Sequence, residues 1–110
     1  NQHIFVVGGW SNNSVEIFNY RQRLWSLSKP LSEKRDRASS FAYNNQVTVA
    51  GGVCGFHTFD NMIRMNIQTV PDLSVNLSNF AAKLPAKMYE HSSVVYKDSL
   101  FVSGGYFVIS

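Results

Sequence analysis

The sequence predicts an all-β protein built from a repeated antiparallel unit, and three observations lead to this prediction. Only 15% of the 110 residues are charged, whereas 45% are hydrophobic and 14% are aromatic, a balance that favours sheet over helix. Short apolar, strand-like runs alternate with polar turns. A glycine pair directly follows such a run three times, at Gly8-Gly9, Gly51-Gly52 and Gly104-Gly105.

The three glycine pairs mark an internal repeat. They are separated by 43 and 53 residues, close to the period of about 50 residues that is typical of propeller repeats. The segments Ala38–Asn45 and His91–Asp98 each lie 13 residues before a glycine pair and end in two polar residues. Each therefore predicts a β-hairpin. Asn1–His3 aligns with the turn at Asn44–Gln46, so the chain is expected to begin inside such a turn.

Two further strands are predicted after the first glycine pair, over Ser14–Tyr20 and Leu24–Leu27. The repeated unit is then four antiparallel strands, A to D, in which strand B ends at the glycine pair. Glycine fits this position because it tolerates a positive φ and allows another backbone to approach closely. We expect the glycines to have an architectural role.

This unit resembles the Kelch repeat. The residues that carry the resemblance are Gly8-Gly9, Val15–Phe18 (Val-Glu-Ile-Phe) and Trp25, with Arg37–Ser39 opening the next unit. The second unit is degenerate, because Met62–Met65 stands in place of the Val-Glu strand and the tryptophan is missing. The resemblance implies four-stranded propeller blades, with Trp25 buried inside the first of them.

The predicted organisation is a partial Kelch β-propeller with an incomplete ring. Residues 1–37 would supply strands B, C and D of one blade, residues 38–90 a complete but degenerate blade, and residues 91–110 strands A and B of a third. Propellers close with about four to eight blades of four strands, and nine strands are too few. We therefore expect either a fragment of a longer propeller or a piece that completes itself with another copy of the chain.

The candidate binding residues lie on the loops between strands B and C and between strand D and the next strand A, which emerge at the same end of a blade. Loops on a rigid scaffold are where binding residues concentrate. In Kelch propellers that recruit peptides, the contacting positions are the residue after the glycine pair, the serine before Val-Glu and the arginine that opens strand A. In this sequence those positions are Trp10, Ser14, Arg37 and Tyr106.

The chemistry of these residues predicts a protein or peptide partner of acidic character. Arg37 can hold a carboxylate through two parallel hydrogen bonds, and Lys34 and Arg35 are expected to raise the positive potential around it. Trp10 and Tyr106 offer large aromatic surfaces. The alternative is that Arg37 pairs with Asp36 or Glu33 in solvent and that Trp10 covers a loop. The second unit would have an altered pocket, because its matching positions are Val53, Asn61 and Glu90.

Other classes of function find little support in the sequence. The net charge is +3, without a basic stripe interleaved with aromatic residues, which argues against a nucleic-acid partner. No apolar run approaches about 18 residues, so no membrane span is predicted. The single Cys54 fits a reducing compartment, and we expect a cytoplasmic protein. No catalytic, metal or cofactor site is predicted, because Cys54, His57 and Tyr106 are too few to form a metal centre.

The leading hypothesis is a non-enzymatic protein-interaction module. The resemblance implies, as the commonest role in the family, the substrate-receptor region of a cullin-RING ubiquitin ligase adaptor, in which a BTB domain precedes the propeller. An actin-binding Kelch scaffold is a second possibility within this class. A Kelch-type sugar oxidase or sugar epimerase is the alternative from a different class.

Overall fold

The fold, taken from a computed structural model that describes residues 3–108, consists entirely of strands, turns and loops. No helix within this range is long and apolar enough to cross a membrane. The strands in chain order are β1 His3–Val7, β2 Val15–Asn19, β3 Leu24–Leu27, β4 Ser39–Tyr43, β5 Gln46–Ala50, β6 Val53–Cys54, β7 His57–Thr58, β8 Met62–Gln68, β9 Ser74–Asn79, β10 Lys87–Tyr89, β11 Ser92–Tyr96, β12 Ser99–Ser103 and β13 Tyr106–Val108.

The sheets are antiparallel and follow the chain order. The first sheet is β1-β2-β3, the second is β4-β5-β8-β9, and β11-β12 is a separate hairpin. The all-β prediction is therefore confirmed. Two short pairs, β6-β7 and β10-β13, add four strands to the nine that the sequence predicted. Residues 109 and 110 of the predicted third blade lie outside the described residues.

Both predicted hairpin turns are present as two-residue turns. Asn44 and Asn45 have φ values of 51° and 59°, and Lys97 and Asp98 have values of 48° and 64°. Two consecutive residues with positive φ are the hallmark of a type I′ turn, whose twist matches that of the strands it joins. These turns fix the register of β4 with β5 and of β11 with β12.

The first two glycine pairs lie where the segment leading to the next unit crosses the end of strand B. Gly51 has a φ of +68°, and a Cβ atom at this residue would lie 2.7 Å from the carbonyl oxygen of Met88. Gly8 has the same relation to Arg35, at 2.8 Å. The following glycine then donates its N–H to the same carbonyl in both units, Gly9 to Arg35 and Gly52 to Met88. Only glycine meets both demands of this crossing.

Within residues 3–108 the core consists of two apolar clusters, each between successive layers of sheet. One cluster joins the first sheet to the second through Val15, Leu31, Val49 and Met65. The other joins the second sheet to the β11-β12 hairpin, and its buried members are Phe41, Ala50, Met62, Leu84 and Met88. The layers are therefore stacked in chain order. The second sheet lies in the middle and packs against the first sheet on one face and against the β11-β12 hairpin on the other.

The expected burial of Trp25 is wrong. Trp25 lies on the edge strand β3, all four residues of which are exposed, and 58% of its surface is accessible. Its ring packs against Phe18 on the neighbouring strand, with ring centroids 5.0 Å apart. The reason is the face on which it lies, because the second sheet covers the opposite face of the first sheet, which carries Val15.

Candidate protein-interaction rim

The loops that follow the glycine pairs are joined to the segments that precede β4 and β11, and we call this end of the molecule the rim. Asp36 and Val53 exchange two backbone hydrogen bonds, of 2.9 and 2.8 Å. One unit later the same relation becomes the β10-β13 pair, in which Tyr89 lies opposite Tyr106. In both units the residue directly after the glycine pair is held by the connecting segment.

Hydrogen bonds also join the rim of one unit to that of the next. Glu90 donates its backbone N–H to the carbonyl of Arg37, at 2.9 Å. Met88 donates to the carbonyl of Phe59, at 3.2 Å. The rim is therefore one continuous surface, braced by backbone hydrogen bonds from the first unit to the last, on which exposed side chains are held in fixed relation.

Trp10 and Tyr106 are both exposed on this rim. Trp10 lies in the turn after the first glycine pair and is almost fully accessible. Tyr106 begins β13, where its ring stacks on that of Tyr89 with centroids 5.4 Å apart. The structure thus presents both predicted aromatic residues to solvent, one of them as half of a tyrosine pair.

Ser14 shapes the loop that carries Trp10. Its backbone N–H donates to the Asn12 side-chain oxygen at 2.9 Å, and its carbonyl accepts a bond of 2.9 Å from Gly8. Its hydroxyl donates to Glu16 at 3.4 Å. The Asn13 side chain fastens the loop to the Leu31 carbonyl. The polar groups of Ser14 are therefore largely engaged within the loop.

Arg37 is half exposed, with 53% of its side-chain surface accessible, and lies between two carboxylates. Its Nε atom is 3.4 Å from Glu90 and 3.8 Å from Asp36. The pairing with Asp36 is the alternative that the sequence left open, whereas Glu33 pairs with Arg35 instead. The positive charge of Arg37 is thus partly compensated within the chain.

The expectation that Arg35 raises the positive potential around Arg37 is wrong, because Arg35 is buried. Only 1% of its side-chain surface is exposed, so it adds little to the surface potential. Its guanidinium donates to the Gly51 carbonyl at 2.9 Å and to the Asn61 side-chain oxygen at 2.6 Å, and lies 4.1 Å from the centre of the Phe59 ring. Burial lowers the pKa of Arg35, and the charge of Glu33 opposes this shift. Arg35 fastens the loop between β5 and β8.

The Phe56 side chain was missed by the sequence reasoning. It lies at the tip of the β6-β7 hairpin, after Gly55, and is fully exposed to solvent. The hairpin is braced, because His57 packs against Phe59 at 4.6 Å between ring centroids and Phe59 is itself buried. The signal that could have revealed this turn is Gly55, a single glycine between the short runs Val53-Cys54 and His57-Thr58.

The chemistry of the rim is that of a recognition surface. It exposes large aromatic side chains, among them Trp10, Phe56 and Tyr106, on segments that hydrogen bonds hold in place. Aromatic anchors on a rigid frame contribute most of the affinity at protein interfaces. Within residues 3–108, no group of three or more His, Cys, Asp or Glu side chains is placed to hold a metal ion.

Comparison with known proteins agrees with the repeat and the fold. The family profile described as the Kelch motif matches residues 1–32. The leucine-zipper-like transcriptional regulator 1 homolog of Drosophila melanogaster is 30% identical over 84 residues, which cover 76% of this chain. The chain spans only 8% of the length of that relative.

Proposed function

We propose that this chain is the partner-recognition part of a Kelch propeller, because the Kelch motif matches residues 1–32 and residues 3–108 form antiparallel β-structure without helices. The Kelch motif supports a protein-interaction role. The single observation that carries the proposal is the continuous rim, which exposes Trp10, Phe56 and Tyr106 on hydrogen-bonded loops. Aromatic side chains held in this way bind a partner with little loss of conformational entropy.

The partner that we propose is an acidic peptide or loop that Arg37 anchors. The ion pairs of Arg37 with Asp36 and Glu90 are long and lie at the surface, and exposed pairs contribute only about 0–1 kcal/mol. A ligand carboxylate that accepts two hydrogen bonds from the guanidinium can therefore displace Glu90. The exposed rings of Trp10 and Phe56 would supply apolar contact to the same partner.

The finer role follows from the family resemblance. We propose a cytoplasmic, non-enzymatic substrate receptor of a cullin-RING ubiquitin ligase adaptor. The rest of a propeller, or another copy of the chain, would complete the ring. The Drosophila protein is much longer than this chain, which supports a role inside a larger protein.

The test uses acidic cyclic peptides selected from a phage library against the folded chain. Arg37→Ala and Phe56→Ala should each weaken binding of the selected peptides by about tenfold, with an unchanged circular dichroism spectrum. Val70→Ala is the matched control, because Val70 is exposed but lies in the turn between β8 and β9. Peptide affinity that is insensitive to both rim variants would contradict the proposal, and co-sedimentation with actin filaments would favour the scaffold role instead.

A further inference from the structure

We infer that the outer edge of the first sheet, strand β3, binds an extended acidic segment of a partner protein as an added β-strand. Three features carry this inference: the outward backbone groups of β3, a cavity beside Leu24, and a turn with two arginines directly before the strand. None of these residues belongs to the rim, so the inference goes beyond the proposed function.

The open edge of β3 has its origin inside the repeat. The order of the first sheet is β1-β2-β3, and the chain then continues into the second sheet, which likewise ends with the edge strand β9. Strand D is thus the outermost strand of both units. A strand A of the first unit would pair with β1, at the opposite edge, as β4 pairs with β5. The edge of β3 is therefore independent of where the sequence begins.

The backbone groups of every second residue of β3 point away from the sheet. Ser28 donates its N–H to the carbonyl of Val15, at 2.9 Å. Hydrogen-bonded residues alternate in an antiparallel pair, so Ser26 also bonds to β2, and the N–H and carbonyl groups of Trp25 and Leu27 are directed outward. Among residues 3–108 no strand pairs with this edge. Unpaired backbone groups of this kind are a template for another strand.

The edge carries none of the features that prevent strand addition. Natural edge strands are protected by charged residues, proline or a bulge. Strand β3 contains no charged residue and no proline, and it pairs with β2 residue by residue without a bulge. The equivalent strand β9 exposes only serine and asparagine side chains, whereas Leu24 on β3 is 63% exposed. Of the two outer edges, β3 is the one suited to an apolar partner strand.

A cavity of about 400 Å³ opens beside β3. Its lining includes Leu24 and Ser26 on one side, and Pro71 and Leu73 from the loop between β8 and β9 on the other. Leu24 and Ser26 lie on the same face of the first sheet as Val15, which the second sheet covers. The exposure of Leu24 therefore does not depend on what precedes the first sheet. Because side chains of a strand alternate between two faces, every second side chain of an added strand is directed toward this cavity.

The turn before β3 determines the charge of the partner. Arg21 and Arg23 are both exposed, and within residues 3–108 neither forms an ion pair. The Asn19 side chain holds this turn by accepting the backbone N–H groups of Arg21 and Gln22, at 2.9 and 3.0 Å. Asp72 is a carboxylate in the cavity lining, but it belongs to the opposite wall. Acidic residues at the end of the added strand that lies beside the turn provide complementary charge.

The experiment is an NMR titration of the folded chain with a short capped peptide of alternating valine and threonine that ends in two glutamates. Antiparallel addition, the mode of every sheet in this chain, places these glutamates beside Arg21 and Arg23. The amide signals of Trp25 and Leu27 should shift as the peptide binds. N-methylation of every second peptide residue can be made in two phases. Only the phase that removes the N–H groups facing β3 should weaken binding, by about tenfold or more.

Variants of the edge separate its backbone from its side chains. Leu27→Pro removes an outward N–H without removing a bond to β2, which an edge strand tolerates, and should weaken peptide binding by about tenfold. Leu27→Ala is the matched control, because it keeps the N–H, and its affinity should stay within about threefold of the wild type. The double variant Arg21→Gln, Arg23→Gln should lose the preference for the glutamate peptide over its glutamine counterpart.

Three results would overturn the inference: no shift of the Trp25 and Leu27 amides at millimolar peptide, equal binding of the two methylated peptides, or an equal loss with Leu27→Ala and Leu27→Pro. The methylated peptides decide alone if Leu27→Pro loses its circular dichroism spectrum. Arg37→Ala should leave this binding unchanged, which separates the result from that of the rim test.

Discussion

Equivalent positions in the first and second sheets have different surroundings. Phe18 pairs with Trp25 across β2 and β3, and Met65 pairs with Leu77 in the same way across β8 and β9. Met65 is completely buried and its partner Leu77 is half-buried, whereas the equivalent Phe18 is only half-buried and its partner Trp25 exposes 58% of its surface. The aromatic pair is the larger of the two, yet it is the more exposed one. Burial in this stack is therefore decided by which layer lies on a face, and not by the residues on it.

The largest effect that this comparison predicts is a difference between Met65→Ala and Trp25→Ala. Met65→Ala removes a fully enclosed side chain and should lower the free energy of unfolding by about 2–5 kcal/mol. Trp25→Ala should lower it by less than about 1.5 kcal/mol, because it leaves no cavity. Urea unfolding at low protein concentration measures both values. A greater loss with Trp25→Ala would show that the face of the first sheet that carries Trp25 is covered in the isolated chain.

The glycine pairs provide a second comparison between units. Gly51 and Gly104 have nearly the same φ, +68° and +70°, but a Cβ atom at Gly51 would lie 2.7 Å from the Met88 carbonyl oxygen, while a Cβ atom at Gly104 would have none of the described residues within 4 Å. The backbone strain of an alanine is therefore the same at both positions, about 1–2 kcal/mol. Gly51→Ala should cost clearly more than Gly104→Ala in thermal unfolding, because only Gly51 marks a crossing.

Equal shifts in melting temperature for the two glycine variants would mean that the connecting segment at Met88 moves aside without cost. In that event the glycine pair would serve only its own backbone conformation, and the close crossing of the next unit would not be part of what fixes the stack.

The sequence predicted the features that depend on local pattern. The hairpins around Asn44-Asn45 and Lys97-Asp98 were found because alternating strands flank two polar residues. The β10-β13 and β6-β7 pairs were missed because strands of two or three residues have no periodicity to detect. The burial of Arg35 was missed because a basic run reads as surface. The available signal was that the repeat aligns Arg35 with the apolar Met88, 53 residues later. Both side chains are buried in the structure.

The candidate site was predictable in position but not in composition. The repeat placed Trp10 and Tyr106 directly after glycine pairs, and both are exposed there. The compensation of Arg37 by Glu90 depends on a contact between two units, which no local pattern encodes. Phe56 is exposed because it lies at the tip of the short β6-β7 hairpin, which the degenerate second unit has between β5 and β8. The charge pairing of Arg37 and the exposure of Phe56 therefore depend on tertiary structure that local sequence patterns do not encode.

The smallest predicted effect compares His91 with Ala38, which holds the same place before its glycine pair. Only 6% of the surface of His91 is exposed, and neither ring nitrogen has a hydrogen-bond partner among residues 3–108. Burial lowers the pKa of His91 below its ordinary value of 6.5, and the nearby Ala50 carbonyl opposes this shift only in part. The unfolded chain therefore binds the proton more readily than the folded one.

Stability should consequently be complete above pH 6.5 and decrease as the pH falls from that value toward the lowered pKa of the folded state. Arg35, whose guanidinium donates to the carbonyl of Gly51 beside the ring, carries a positive charge that also disfavours protonation of His91 and so does not reverse this sign. Urea unfolding of the wild type and of His91→Ala, compared between pH 7.5 and pH 5.5, measures the effect. The alanine variant should lose the part of the pH dependence that His91 causes. Identical pH profiles for the two chains would show that the buried imidazole is hydrated or paired when it is protonated.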